Sequence, residues 1–135
     1  PQRVERYAEH AQSLDLTDVR FPAGVADVRK LEKRNNLHLN VFGYETCFYP
    51  LKVSGEDDAI NLLLISKDDG THYCWIKDFS KLCYHLNKHK AKQHWCMRCL
   101  SPHNTEENLK RHLLFCSDMK PAAAKMPEEG ETLTF

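Results

Sequence analysis

The stretch of residues 94–117 constrains this chain most, because it holds four metal-ligand residues at the spacing of a single zinc finger. These four, in the order C-x2-C-x12-H-x3-C, are Cys96, Cys99, His112 and Cys116. Two thiolates on a tight turn and two ligands four residues apart on a helix face can reach one ion. Thiolates and imidazoles are the ligands that Zn²⁺ prefers in structural sites. The sequence therefore predicts a zinc finger with Zn²⁺ as its metal.

The second half of the finger is predicted to be a helix over residues 105–115. Thr105 can cap its start, and two Glu in the first turn suit the positive end of the helix dipole. Leu109 occupies the place of the small core leucine of such fingers. His103 departs from the usual pattern, since an aromatic residue normally stands four positions after the second Cys. We therefore expect the metal site to form, but the finger alone to have a poor apolar core.

Length and composition predict one domain, or one domain plus an appendage. The chain has 135 residues, of which 41% are hydrophobic and 28% charged, so its main body can bury a core without metal. A finger of about 25 residues cannot do so and depends on its ion. Basic and acidic residues both number 19. With no net charge, only a local basic patch can favour nucleic acid.

The cysteines favour a reducing environment. Of six, the finger uses three and leaves Cys47, Cys74 and Cys83; thiols in a metal pattern are typical of intracellular proteins rather than of disulfide frameworks. No apolar run reaches membrane-spanning length, and no signal-peptide pattern opens the chain. We expect an intracellular, nuclear protein without a membrane partner. Because the sequence begins at Pro1 without Met, we also expect a piece of a longer protein.

Residues 1–93 predict an α+β body. Residues 1–19 have a loose helical spacing and are expected to form a packing helix, and residues 25–34 form a second helix. The apolar period then changes to two, which predicts an antiparallel meander of about four strands. These strands cover residues 37–42, 48–53, 60–66 and 71–77. The apolar third strand is expected to be central and covered on both faces.

The rest of the chain completes the predicted architecture. Pro50 lacks a backbone N–H, so it is expected either in an edge strand or at the end of a strand. Ser80 can cap a short helix before the finger. Residues 118–135 lack periodicity and are predicted to be a linker or flexible tail. The fold class is thus α+β, with N-terminal helices, an antiparallel sheet and a C-terminal ββα-like finger.

The order of these pieces resembles a region of the large open reading frames of Polinton or Maverick self-synthesising DNA transposons and domesticated relatives. The stretches that carry it are PQRVERY, FPAGVADVRKLEKRNNLHLNVFGYE, INLLLIS, HYCWIKDFSKL and the finger. The resemblance covers about residues 1–117. It implies a region upstream of a protein-primed family B DNA polymerase. No polymerase motif occurs in this chain, so the resemblance carries no catalytic residue onto it.

A local basic patch makes DNA a candidate partner. No acidic residue occurs between Asp78 and Glu106, and Tyr84 and Trp95 are interleaved with the basic residues. The basic side chains are Lys81, Lys88, Lys90, Lys92 and Arg98. Such a patch suits phosphate contact with some aromatic stacking. The alternative is a solvated Lys-rich connection without a ligand.

The finger helix is a second candidate for DNA contact. Asn108 and Arg111 lie at positions from which fingers of this spacing contact bases, and they can pair with adenine and guanine. Glu106 and Glu107 oppose this, because they place negative charge at the end that enters the groove. One finger also covers only about three base pairs. A finger that packs on the body or binds a protein is the alternative.

Two enzymatic hypotheses are weaker. A nuclease of the His-Me type could use His72 with Asn87 or His89, but the predicted zinc is fully ligated and no pair of carboxylates accompanies His72. A thiol enzyme would use Cys74 or Cys83, with His72 or His85 as base. Cys74 is expected in the core. We predict a noncatalytic, zinc-containing, DNA-associated module of a transposon-type replication or recombination protein, with a protein-interaction module as the alternative.

Overall fold

The computed structural model describes residues 2–87 and 91–124, with side chains for residues 7–84 and 91–124. Over these residues the chain is a mixture of helices and strands, which confirms the α+β class. The helices are α1 (Gln2–Gln12), α2 (Val25–Asn35), α3 (Phe79–Asn87) and α4 (Glu106–Cys116). The strands are β1 (Leu39–Tyr44), β2 (Phe48–Lys52), β3 (Ile60–Lys67), β4 (Gly70–Trp75), β5 (His94–Trp95) and β6 (Pro102–His103).

The four long strands form one mixed sheet in the order β2-β1-β3-β4. Strands β1 and β2 are antiparallel, as are β3 and β4, but β1 and β3 are parallel, with Leu39 opposite Ile60. The predicted antiparallel meander is therefore wrong at this pairing. In a meander β3 would pair with β2. Pro50 leaves β2 without one ladder donor, so β2 takes the predicted edge position and β3 pairs with apolar β1 instead.

Strand β1 is the one covered on both faces, since Leu39 to Gly43 are all buried. The expectation of full cover for β3 is wrong, because its residues are half-buried or exposed although the strand is central. On one face, Leu39 and Val41 pack with Val28 of α2. On the other face, Phe42 packs with Phe79 of α3. The sheet therefore lies between α2 and a second layer.

The second layer consists of α3 and the first strand of the finger. The ring of Phe79 lies 5.6 Å from that of Phe42 and 4.9 Å from that of Phe48, measured between centroids. Trp95 of β5 meets Phe79 edge-on at 5.3 Å. Met97 and Leu100, from the turn between β5 and β6, pack on the same cluster. The finger hairpin thus belongs to the core of the body.

Helix α1 forms where a helix was expected, but its described side chains are not packed. Its described side chains, from Tyr7 to Gln12, are all exposed, so the expectation of a packing helix is wrong. The residue types explain this, since the segment contains few large apolar side chains among its charges. None of the helices in the described part of the chain is long and apolar enough to cross a membrane.

The segment after α4 runs back along the molecule. The backbone N–H of Ala122 donates to the carbonyl of Arg98 at 2.9 Å, and that of Ala124 donates to the carbonyl of Pro50 at 2.6 Å. The first part of the predicted tail therefore bonds both the finger and the outer edge of β2. Residues 125–135 lie outside the described part. The boundaries 1–93, 94–117 and 118–135 stay predictions.

Candidate metal centre

The finger is built from a two-stranded hairpin and a capped helix. Strands β5 and β6 are antiparallel, with His94 opposite His103. The turn between them closes through Cys96, whose N–H donates to the carbonyl of Ser101 at 3.0 Å and whose carbonyl accepts from Leu100 at 2.8 Å. Leu100 adopts a positive φ of 60° in this turn. The tight turn brings Cys96 and Cys99 to the same side, as two ligands of one ion require.

Helix α4 supplies the other two ligands. Thr105 has extended backbone angles and accepts from the N–H of Asn108 at 3.1 Å, so it caps the helix as the sequence predicts. From this start, His112 and Cys116 stand one turn apart on the face toward the hairpin.

The four ligand atoms converge, because all lie within 4.8 Å of one another. The sulfurs of Cys96 and Cys116 are 3.8 Å apart, and the sulfur of Cys99 is 3.3 Å from Nε2 of His112. A tetrahedral zinc ion with bonds of about 2.0–2.3 Å holds neighbouring ligand atoms roughly 3.5–3.8 Å apart. The four residues could therefore hold a metal ion, and their geometry is compatible with Zn²⁺.

The surroundings shift the pKa values of two of the ligand thiols in opposite directions. Burial, followed by the neighbouring Cys96 and Cys99, raises the pKa of Cys116 to about 11. Burial also acts to raise the pKa of Cys99, but hydrogen bonds, first those with Ser101, outweigh it and lower the pKa to about 7. Crowded thiols resist ionising together, and a bound cation removes that resistance because thiolates are its ligands.

His103, the departure from the usual finger pattern, packs against a ligand. Its ring lies 4.7 Å from the ring of His112, centroid to centroid. Its Nε2 is 3.0 Å from the hydroxyl of Ser101, which is itself 3.1 Å from the sulfur of Cys99. His103 and Ser101 therefore hold the ligands from outside, as the polar neighbours of metal ligands commonly do.

Arg98, predicted to contact nucleic acid, lies at the junction of finger and body. One terminal nitrogen donates to the carbonyl of Gly55 at 3.2 Å. The other donates to the carbonyls of Met119 at 2.7 Å and Ser117 at 3.3 Å. Arg98 thus joins the turn between β2 and β3 to the end of α4. A DNA contact of Arg98 stays a prediction.

The other residues predicted to contact DNA are not brought together within the described part of the chain. Lys88 and Lys90 lie outside the described residues, and Lys92 is exposed in the connection before β5. Asn108 and Arg111 are exposed on α4. Arg111 is paired with a carboxylate of its own helix, Glu107, at 3.1 Å. Their contacts with DNA also stay predictions.

A surface that the sequence predicts only in part lies beside α3, and we call it the basic–aromatic surface: Lys81, Tyr84 and Lys92 belong to the predicted basic patch, whereas Trp75 and Lys77 do not. The surface comprises Trp75, Lys77, Lys81, Tyr84 and Lys92, all exposed. The Nζ atom of Lys77 is 5.1 Å from the centre of the Trp75 ring. One depression, of about 380 Å³, is lined by Trp75, Lys77 and Lys81, and a second, of about 360 Å³, by Lys81, Tyr84 and Lys92. Since Lys81 lines both, the surface is continuous.

One sequence signal could have revealed this surface. Trp75 ends β4, and Lys77 lies two residues after it, whereas Ile76 between them is buried in the core. Trp75 is 65% exposed, an unusual position for so large an apolar side chain. The run without acidic residues begins four residues after Trp75, so the end of β4 and this run together indicate the surface.

The described residues of the enzymatic hypotheses are not members of the metal-ligand group. His72 is exposed on β4, with its Nε2 3.8 Å from a carboxylate oxygen of Asp69. Cys74 is exposed rather than in the core, because β4 is an edge strand. Cys83 is buried beside Phe79, and burial raises the pKa of its thiol to about 11. The side chains of Asn87, His85 and His89 lie outside the described part, and the absence of catalysis stays a prediction.

No protein-family model matches this chain, and searches of curated proteins and of solved structures find no match either. The geometry of the residues themselves therefore carries the functional argument.

Proposed function

We propose that this chain is a zinc-stabilised, noncatalytic module that associates with DNA through the basic–aromatic surface. The ligand set supports the zinc assignment, since three thiols and one imidazole fill all four positions of a tetrahedral structural site. The ion would hold the hairpin and α4 together and would leave no open position for a substrate. Its contribution is to folding.

The observation that carries the DNA assignment is the combination of exposed lysines and exposed aromatic rings on one surface. Lys77, Lys81 and Lys92 suit phosphates, and the exposed ring of Trp75 offers a face on which bases can stack. The one acidic side chain among them is Asp78, whose carboxylate accepts from the backbone N–H of Lys81 at 3.0 Å.

This chemistry favours single strands and tolerates many sequences. Stacking requires unpaired bases, and every base has a face to stack. Base readout by α4 is not part of the proposal. Glu106 and Glu107 begin that helix and are paired with Lys110 and Arg111 along it. A role in transposon-type replication or recombination, and a nuclear location, are proposals that rest on the sequence resemblance.

The test measures the affinity of the zinc-loaded chain for labelled single- and double-stranded DNA over a series of salt concentrations. Replacing Lys77, Lys81 and Lys92 with Gln should weaken binding to all sequences alike. The slope of log affinity against log salt should fall by up to about three, because each lost phosphate contact releases one counterion fewer. Trp75→Ala should weaken single-strand binding more than double-strand binding.

A matched control removes the same charge elsewhere. Lys33, Lys67 and Lys120 are equally exposed lysines outside the surface, and replacing them with Gln should change binding little. If both triple variants lose affinity equally, charge alone accounts for binding and the surface assignment fails. If the unmodified chain shows no salt-dependent affinity for either form of DNA, the DNA proposal fails. A protein-interaction module is then the better hypothesis, favoured by the exposed apolar end of α4.

A further inference from the structure

The outer face of α4 ends in large apolar side chains exposed to solvent. Leu114 is 71% exposed, Phe115 76% and Met119 69%. Neither the metal centre nor the basic–aromatic surface uses them. Contiguous exposed apolar side chains on a folded domain mark an interaction site more often than single ones do.

This face is held rigid although it extends beyond the helix. The N–H of Asp118 donates to the carbonyl of Phe115 at 3.3 Å, and that of Met119 donates to the carbonyl of Cys116 at 3.2 Å. Arg98 fixes the carbonyl of Met119 at 2.7 Å. The backbone of the patch is therefore preorganised, so binding a partner costs little conformational entropy there.

Charges flank the apolar patch in a self-complementary order. Arg111 lies about one turn before Leu114 and Phe115, and Asp118 lies about one turn after them. If two such helices cross antiparallel with the midpoint between Leu114 and Phe115, each Arg111 lies opposite the partner's Asp118. Leu114 then lies opposite the partner's Phe115. Such a symmetric arrangement satisfies both charges of both copies.

We propose that this face binds a second copy of the same chain, forming an antiparallel α4–α4 contact. The existing pair of Arg111 with Glu107 is exposed, so exchanging it for an intermolecular pair costs little. One and a half turns of helix bury less than the roughly 1,200 Å² of a stable interface. The dimer is therefore weak, with a dissociation constant on the order of micromolar or above.

The experiment is sedimentation of the zinc-loaded full chain over a range of concentrations, with charge-swap variants. Phe115→Ser should give a monomer at concentrations where the unmodified chain associates. Arg111→Asp and Asp118→Arg should each weaken the dimer at least several-fold, and the two together should restore it. Phe21→Ser is the matched control, since Phe21 is 72% exposed away from this helix, and it should leave association unchanged.

Three outcomes overturn the proposal: a monomer at every concentration, a double swap that does not restore association, or equal loss from Phe21→Ser. Zinc content and helical circular dichroism of each variant check that α4 stays folded. DNA is absent from these measurements, so they fail or succeed independently of the DNA proposal.

Discussion

Gly43 in β1 has no Cβ atom, and this absence decides how β1 and β2 pack at this point. The ring of Tyr49, on β2, lies across it, and a Cβ at this position would stand 2.3 Å from Cζ of that ring. Tyr49 is opposite Gly43 in the strand register. Glycine is therefore required here for close approach, as at other strand glycines covered by a neighbouring ring.

Gly43→Ala should destabilise the chain by roughly 1–3 kcal/mol, the usual cost of overpacking. Urea unfolding monitored by circular dichroism measures this loss. Adding Tyr49→Ala should recover part of it, because the clashing ring is removed. Gly24→Ala is the control, since its added Cβ meets only a carboxylate oxygen of Asp27 at 3.9 Å. Equal losses from the two alanines would contradict the role assigned to the Tyr49 ring.

Single residues also show where prediction from sequence succeeds. The four metal ligands were predicted correctly as a cluster, because their positions depend on a turn and a helix within residues 94–117. The DNA contact predicted for Arg98 stays a prediction, but the sequence did not predict that its guanidinium bonds the carbonyls of Gly55 and Met119. Those carbonyls come from distant parts of the chain, so the local pattern holds no sign of them.

At the scale of elements, a buried charge pair ties α2 to the sheet. One carboxylate oxygen of Glu32 accepts from the N–H of Leu39 and from Nζ of Lys52, each at 2.6 Å. The same Nζ donates to the carbonyl of Leu39 at 2.9 Å. The pair therefore joins the end of β2, the start of β1 and the helix above them.

Lys52→Met should destabilise the chain by about 2–3 kcal/mol, because the Glu32 carboxyl group loses its buried partner. The expected loss is below that of a fully buried pair, since the Glu32 side chain keeps some contact with water. Lys110→Met removes half of an exposed pair with Glu106 and should cost under about 0.5 kcal/mol. Chemical unfolding of both variants compares them, and similar losses would contradict the importance of burial.

The elements themselves were largely predictable, but their arrangement was only partly so. The alternation of apolar residues located the four long strands, and Pro50 located an edge. The parallel pairing of β1 with β3 was missed. The apolar alternation of a strand indicates which of its faces is buried, but it does not indicate which strand lies beside it. Helix α1 was expected to pack. Whether a helix packs depends on a partner surface elsewhere in the molecule, and the sequence of the helix does not reveal that surface.

On the scale of the whole molecule, the finger and the body share one core. Trp95 of the finger packs on Phe79, and Arg98 bonds Gly55 of the body. A metal bound by the four ligands would therefore act on more than the finger, because it would fix α4, whose end Arg98 also holds. The body nevertheless has its own apolar cluster around Val41, on the face of the sheet toward α2.

Elemental analysis should find one zinc per chain, and removing it with a chelator should unfold α4 but leave the sheet folded with reduced stability. The reason is that the hairpin and helix lack a sufficient core without an ion, whereas Val41 and its neighbours do not depend on it. Cys99→Ser should have the same effect. In a Trp75→Phe background, Trp95 is the one remaining tryptophan of two, so its fluorescence reports the finger while amide NMR signals of β1–β4 report the body.

Cys47→Ser is the control for the Cys99 change, because Cys47 is exposed and not part of the ligand group. We expect it to retain zinc and the Trp95 signal. Zinc absent from chelator-free protein, or an unchanged Trp95 signal after chelation, would contradict the metal centre. If the amide NMR signals of β1–β4 were lost together with the Trp95 signal, the ion would support the entire fold. The apolar cluster around Val41 would then not be stable without the metal.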